Sequence, residues 1–388
     1  YYVTRNNTSI LAFKVGTKLD NYSFNIVTSH TDSPTFKVKE NAEIEVKNKY
    51  TQLNTEGYGG MLCATWLDRP LSIAGRVLVS EGNSIVTKLL NIDRDLLMIP
   101  NVAIHMNRAA NDGFKYNLQV DMLPLLSAGD DRQKDFKQII ADELGVKKED
   151  ILGHDLYLYN RMAPSIWGAN EEFISAGHLD DLQCGFASLK ALLAGYNDES
   201  IDIMACFDNE EVGSGTKQGA DSTLLRDTLT RINNALGKTE EDYHRALASS
   251  FMLSADNAHA VHPNHPEHTD VTNCTYMNEG VVVKSHAGQK YTSDGVSMAV
   301  VKALASGADV PLQYFANRSD KAGGSTLGNI AMAQASMNAV DIGLPQLAMH
   351  SSYETAGIKD TYYAISLMKA LFDSHIQETS THSLEIKR

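Results

Sequence analysis

The sequence predicts an α/β fold: a mostly parallel sheet flanked by helices and interrupted by an inserted, mainly β unit. Three observations carry this. After Ser175, apolar strand-like runs alternate with helical stretches, which implies βαβ units and hence parallel strands. Ile203 to Phe207 is a nearly continuous apolar segment, as expected of a strand covered on both faces, and two adjacent glutamates follow it. Between Lys37 and Arg161 the pattern changes to short β-like runs broken by glycine and polar turns. At 388 residues the chain exceeds the size at which one core keeps growing. Two structural units are therefore expected, residues 1–36 with 162–388, and residues 37–161 between them.

Taken in order, Thr8 to Val15 and Tyr22 to Thr28 read as strands, with Gly16 and Asn21 marking the turn. The second runs into Ser29-His30-Thr31-Asp32, where a histidine and an aspartate two apart lie on roughly the same side. A metal-bound imidazole usually donates its other N–H to a carboxylate, and Asp32 is placed to accept it. In the insertion, strands are expected at Glu43–Lys47, Ile73–Val79, Asn101–His105 and Asp155–Tyr159, and an amphipathic helix near Gln133–Leu144. Leu182, Phe186, Leu189 and Leu193 recur at helical spacing from Leu179 to Ala194, with Gly195 as the stop. Beyond the strand starting at Ile201, helices are expected at Ser222–Leu236, Gly295–Leu304, Thr326–Met337 and Lys359–Leu371. Strands are expected at Phe251–Ser254, Val281–Lys284, Leu312–Ala316 and Leu347–Ala348.

Composition narrows the function classes. A net charge of −14 with no local basic stripe argues against nucleic acid and anionic membranes as partners. No apolar run approaches the length of a membrane span, and no signal peptide is recognisable. Cys63, Cys184, Cys206 and Cys274 are far apart and form no CxxC, and three lie within apolar segments, so they read as reduced core residues, which favours the cytoplasm. The sequence opens at Tyr1, mid-pattern and without an initiator methionine, as expected where an N-terminal segment is missing.

Chemistry concentrates at strand ends, where open α/β sheets place their ligand sites. His30, Asp180 with Asp181, Glu210 with Glu211, Asp256 and His350 all fall there. Neighbouring residues at a strand end point in different directions, so Glu210 and Glu211 suit different jobs, one binding a metal and the other facing water on it. Histidine and carboxylate without cysteine suits zinc, cobalt or manganese in a hydrolytic centre. Two ions are the natural count, because Asp180, Glu211, Asp256 and one bridging hydroxide balance two divalent cations while both histidines stay neutral. Two other motifs read as unremarkable. The glycines around Ser214 lack the spacing of a phosphate loop. The run His259, His262, His265, His268 is interleaved with Pro263 and Pro266 and reads as an extended loop, its later histidines on the surface.

The segments SHTDSP at His30, HLDD at Asp180, FDNEEVGS at Glu210, SADNAHAVHP at Asp256 and LPQLAMHS at His350 span most of the chain in order. Together they resemble the aspartyl aminopeptidase family, within the clan of two-metal aminopeptidases. Where many relatives carry asparagine after the bridging aspartate, this chain has Asp181. The resemblance implies a zinc-peptidase-like fold in which His30 and Asp256 hold one metal, Glu211 and His350 the other, and Asp180 bridges. Glu210 becomes the general base that activates a bridging water against the first peptide bond, and Asp32, behind His30, counts with it among the catalytic residues. His259 and Tyr291 become substrate contacts, and Lys284 faces the acidic side chain of the substrate. His105 reaches into a neighbouring subunit's site. The insertion becomes a dimerisation domain in a large homo-oligomer, often a dodecamer, and peptides with N-terminal Asp or Glu the substrates. The rivals are a broad-specificity aminopeptidase or deacylase of the same clan and, from another class, a non-catalytic metal-binding assembly protein. The latter has no use for a carboxylate such as Glu210 that sits beside the metals without binding them.

Overall fold

The computed structural model describes residues 1–129, 135–380 and 383–388. Contacts divide the chain into two units, one of Tyr1–Ser33, Ser165–Met349 and Glu354–Arg388, the other of Pro34–Pro164 and His350–Tyr353. The observed limits of the middle segment lie slightly outside the expected 37–161, and the assignment of His350–Tyr353 to the second unit has no boundary signal in the sequence.

The first unit is built on an eight-stranded sheet. Its order is Tyr2–Arg5, Ser9–Val15, Ser200–Phe207, Ser23–His30, Phe251–Ala255, Asn338–Gly343, Val281–Lys284, Leu312–Phe315. Successive side chains of a strand point to opposite faces, so a strand apolar at every position must be covered on both. That is the arrangement here: Phe24, Ile26, Ile203 and Met252 join one core and Val27, Met204, Leu253 and Val340 the other. Helices Leu224–Ala235, Glu240–Ala248 and Leu327–Gln334 cover the first face, and Leu179–Ala194, Gly295–Gly307 and Asp360–Phe372 the second.

The sheet is mixed where mostly parallel pairing was expected. Ser200–Phe207, Ser23–His30, Phe251–Ala255 and Asn338–Gly343 run parallel, as do the edge strands Val281–Lys284 and Leu312–Phe315. The N-terminal hairpin and the junction of Asn338–Gly343 with Val281–Lys284 are antiparallel. The strand Asn338–Gly343 and the helix Glu240–Ala248 were not expected from the sequence, and Thr326–Met337 shortens to a helix at Leu327–Gln334. A five-stranded sheet links Ser165–Trp167, Phe173–Ala176, Glu354–Gly357, Pro345–Leu347 and Ala258–His259.

The helix Leu179–Ala194 reverses its expected orientation. Its apolar stripe faces outward, with Leu182, Phe186 and Leu193 at 47%, 52% and 65% exposure, while Cys184, Ala187, Ser188 and Ala191 are buried. Small residues let the helix lie close against the sheet and the helix Asp360–Phe372, which the larger side chains would prevent.

The second unit is an antiparallel six-stranded sheet in the order Ser84–Asn91, Leu71–Glu81, Ile151–Asn160, Thr35–Val46, Tyr50–Tyr58, Leu125–Ala128. Its core gathers Phe36, Trp66, Ile73, Val77, Leu156 and Leu158 beneath the helix Phe136–Leu144. Asp135 caps that helix by accepting the Gln138 N–H at 2.7 Å. Of the helix expected near Gln133–Leu144, Gln133 and Lys134 lie outside the described residues. Asn101–His105 is not the expected strand: Asn101–Ala103 carry no regular structure, and Ile104 and His105 form a turn whose Met106 and Asn107 N–H groups return to the Ala103 carbonyl. Among the described residues no helix is long and apolar enough to cross a membrane.

Candidate metal centre

Parallel pairing brings the candidate residues of the first unit together. His30 pairs with Phe207 across the sheet, and Ser254 with Thr28. The loops that follow these strands therefore start at one level and carry Asp32, the Glu210–Glu211 pair and Asp256.

The His30 imidazole is buried, at 1% exposure. Its Nδ1 lies 3.0 Å from the Asp32 main-chain oxygen, while its Nε2 lies 3.5 Å from Asp180 Oδ1 and 3.9 Å from Asp256 Oδ1. With Nδ1–H donated to the carbonyl, Nε2 turns a lone pair toward two carboxylates, an arrangement that requires a cation or proton between them. Burial alone would lower the imidazole pKa, but Asp180, Asp256 and Asp32 outweigh it and hold the group well above its ordinary value.

Asp32 does something other than expected. Its side chain is farther from Nδ1, at 3.5 Å, than its own carbonyl is, and its two oxygens accept the main-chain N–H groups of Glu210 at 3.1 Å and Glu211 at 3.2 Å. It thus fixes the turn Glu210–Val212, which starts from Asn209 in the left-handed region at φ 61°. His30, Glu210 and Glu211 offer ligand atoms within 4.8 Å of one another, as do His30, Asp180 and Asp256. Burial, reinforced by Asp256, pushes the Glu210 carboxyl up to about 7.

The two aspartates at the start of the Leu179–Ala194 helix differ in direction. Asp180 turns its carboxylate to His30 Nε2 and donates its main-chain N–H to Glu354 at 3.0 Å. Asp181, fully buried, accepts the His30 main-chain N–H at 3.1 Å, and its carboxyl is raised well above the ordinary range by burial and by Asp256 and Asp180. Sequence reasoning missed this supporting role of Asp181 and missed Glu354 altogether. It also missed Gly343, where an added Cβ would stand 2.1 Å from the Asp256 carbonyl oxygen and 3.0 Å from Lys284 Cε. Only glycine allows those strands to approach so closely.

Lys284 is buried rather than solvated. Its Nζ donates to the Asn257 carbonyl at 2.8 Å, lies 3.7 Å from Asp256 Oδ2 and stands 5.6 Å from the centre of the buried Tyr291 ring. Its pKa is raised: burial lowers it, and the surrounding charges, Asp256 first, outweigh that. His259 is exposed beside Phe315, at 6.1 Å between ring centres. His105 and His350 belong to the second unit, His105 on an exposed turn. His350 directs Nδ1 to the Gly60 carbonyl at 2.9 Å, which leaves the lone pair on Nε2.

The donor set fits a divalent metal. Imidazole and carboxylates converge without a thiolate in the groups, and Asp32, Asp180, Asp181, Glu210, Glu211 and Asp256 crowd around the basic side chains His30 and Lys284. Such a crowd of buried and partly buried carboxylates calls for protons or a cation among them, and a divalent ion meets that need.

Comparison with known proteins identifies the family. The family described as Aminopeptidase I zinc metalloprotease (M18) matches residues 1–372. A probable M18 family aminopeptidase 2 of Clostridium novyi is 47% identical over 379 residues, covering 96% of this chain and 88% of the relative. A chain in a cryo-EM structure of the Ape4 and Nbr1 complex superimposes with a TM-score of 0.92 at 35% identity, covering 96% of this chain and 76% of that one. A chain of the S. cerevisiae mApe1 dodecamer does so with 0.81 at 27% identity, covering 96% and 84%. The chain belongs to the M18 family of zinc metalloprotease aminopeptidases.

Proposed function

We propose that this aminopeptidase removes Asp and Glu from peptide N-termini and holds two divalent cations, zinc foremost. His30 and Asp256 would hold one, Glu211 and His350 the other, with Asp180 shared. When bound, the ions supply Lewis acidity at the scissile carbonyl and acidify water. Glu210 takes up a proton from water and returns it to the leaving amine, a task suited to a carboxyl pushed up to about 7. Asp32 serves as the positioning residue that fixes the Glu210 and Glu211 main chain.

The observation that carries the specificity is the buried ammonium of Lys284 beside Asp256. A protein of net charge −14 disfavours acidic substrates at long range, so it needs a local, desolvated cation to select them. His259 and Tyr291 line the substrate path in this reading. The second unit acts in dimerisation, and dimers build a homo-oligomer such as the mApe1 dodecamer. His105 enters a neighbouring subunit's site, where it can hydrogen-bond the developing oxyanion. All four cysteines are free, which suits the cytoplasm, although only Cys184 and Cys206 are the buried core residues expected and Cys63 and Cys274 are partly exposed.

Hydrolysis of aspartyl, glutamyl, leucyl and lysyl amides by zinc-loaded wild type and Lys284→Ala tests the specificity. The variant should lose kcat/KM on the two acidic amides far more than on leucyl amide. Equal loss on all would remove Lys284 from the pocket and favour a broad-specificity enzyme. For His105, co-refolded mixtures of His105→Ala and Glu210→Gln chains should regain part of the wild-type rate. Verified mixed oligomers without recovery would place His105 outside a shared site.

A further inference from the structure

The histidine run after Asp256 is not the extended loop its prolines suggested. The His265 N–H bonds the His262 carbonyl at 3.0 Å, and the His268 N–H bonds the His265 carbonyl at 3.1 Å. Two consecutive four-residue turns sharing His265 result, the second containing the short 3-10 helix Pro266–His268, with Pro266 in its first turn, where no N–H is needed. Each turn begins and ends on a histidine, so the repeat at 262, 265 and 268 sets three imidazoles in a row, with ring centres 5.4 and 5.3 Å apart, the first pair tilted by 36° and the second stacked at 20°. Glu267 completes the cluster, its Oε1 3.0 Å from His265 Nδ1. His265, Glu267 and His268 offer ligand atoms within 4.8 Å of one another, all on exposed side chains.

We propose that His265, His268 and Glu267 form an accessory site for a late divalent transition metal ion, such as zinc, nickel or copper(II). Imidazole with a carboxylate is the donor set these ions prefer, and calcium and magnesium do not. Metal–nitrogen bonds of about 2.0–2.1 Å need the donor atoms closer than they stand, and exposed side chains close that gap by small rotations. The Glu267 carboxyl is held below its ordinary range by its own main-chain N–H and by His265, so it is a ready anionic ligand. His262 ends the row and is not a required ligand, because its Nδ1 already accepts the Asn264 N–H at 3.2 Å. The row borders a cavity of about 260 Å³ that Arg318 and Lys321 also line, and these cations oppose metal entry. Arg318 is neutralised by Asp320, with which it makes bonds of 2.9 and 2.8 Å.

Zinc-loaded wild type, His262→Ala and the double variant His265→Ala/His268→Ala would be dialysed against graded nickel(II), and nickel and zinc counted per chain. Wild type and His262→Ala should bind one nickel beyond that of the double variant, whose midpoint should rise by at least about tenfold. Copper(II) added in its place should show electron paramagnetic resonance splitting from two nitrogens in wild type, lost in the double variant. Unchanged aspartyl-amide turnover, with at most one zinc per chain lost, would show that the double variant is folded. Equal uptake by all three proteins, or a one-nitrogen signal as from any surface histidine, would overturn the site. So would a loss in His262→Ala as large as that in the double variant.

Discussion

The centre contains two pairs of adjacent carboxylates that are held in different ways. Asp180 and Asp181 open a helix, are almost wholly buried, and are tied into the protein one by its main-chain N–H to Glu354 and the other by its side chain to the His30 N–H. Glu210 and Glu211 ride on a 3-10 turn that is only partly buried, and what fixes them is their main chain, through the two oxygens of Asp32. The first pair therefore acts as scaffold, with Asp181 spent on orienting His30. The second has an anchored backbone beneath side chains that can respond to charge, as a proton carrier must.

Three measurements sharpen or break this contrast. Glu210→Gln should retain its metal content and lose about 10²–10⁴-fold in kcat. Loss of a metal equivalent on the same sample would make Glu210 a ligand and erase the division within its pair.

The next probes a carboxylate outside the centre, on the strand that delivers the glutamates. Asp202 is buried, and burial, against the Asn25 amide, pushes it up to about 7. Because the folded value lies above the unfolded one of about 3.9, its contribution to stability is fully present below pH 4 and is lost as pH rises through 7. Above that the ionised group costs on the order of 4 kcal/mol. Asp202→Asn should accordingly unfold later than wild type at about pH 8 and show little difference near pH 4, in urea titrations at both values. A gain of equal size at both would mean that strand burial does not control carboxylates here.

The smallest effect is expected at Asp32. Asp32→Ala should weaken metal binding or turnover by about 10–100-fold while the helix-start aspartates keep their places. Wild-type affinity and rate in this variant would show that the glutamate turn holds itself.

Much of this was legible in the sequence because parallel strands repeat one signal, a short apolar run ending in a polar cluster. His30, Glu210, Glu211 and Asp256 all stand where such a run or its following turn ends, whereas Asp180 follows the antiparallel strand Phe173–Ala176 and opens a helix. What was not legible depended on neighbours far along the chain. The stripe Leu182, Phe186, Leu189 and Leu193 has the spacing of a core face, yet the packing chose the small residues opposite, because closeness to the sheet outweighed the area of the larger side chains. Asn338–Gly343 mixes Asn, Asp and Gly into a strand, and Asp341 is accommodated there only because Thr292 and Thr326 donate to it. Val102, Ala103 and Ile104 have strand composition but no partner strand among the described residues, and they form an irregular segment and turn. The helix Glu240–Ala248 could have been found, since Thr239 and Asp242 form a capping box three residues apart.

The pairing of Ser23–His30 with Ser200–Phe207 joins residues such as Ser29 and Cys206 that are 177 apart in the chain. Closing so long a loop is slow relative to local contacts. His30 and the two glutamates therefore become neighbours only once that loop has closed, and a partly folded chain has no preassembled cation site there. The turns at His262–His268, closed by bonds across three residues, need no such wait. On refolding of the whole chain, cation binding at the candidate metal centre should therefore wait for that long loop to close, whereas the histidine row needs only its own few residues to turn.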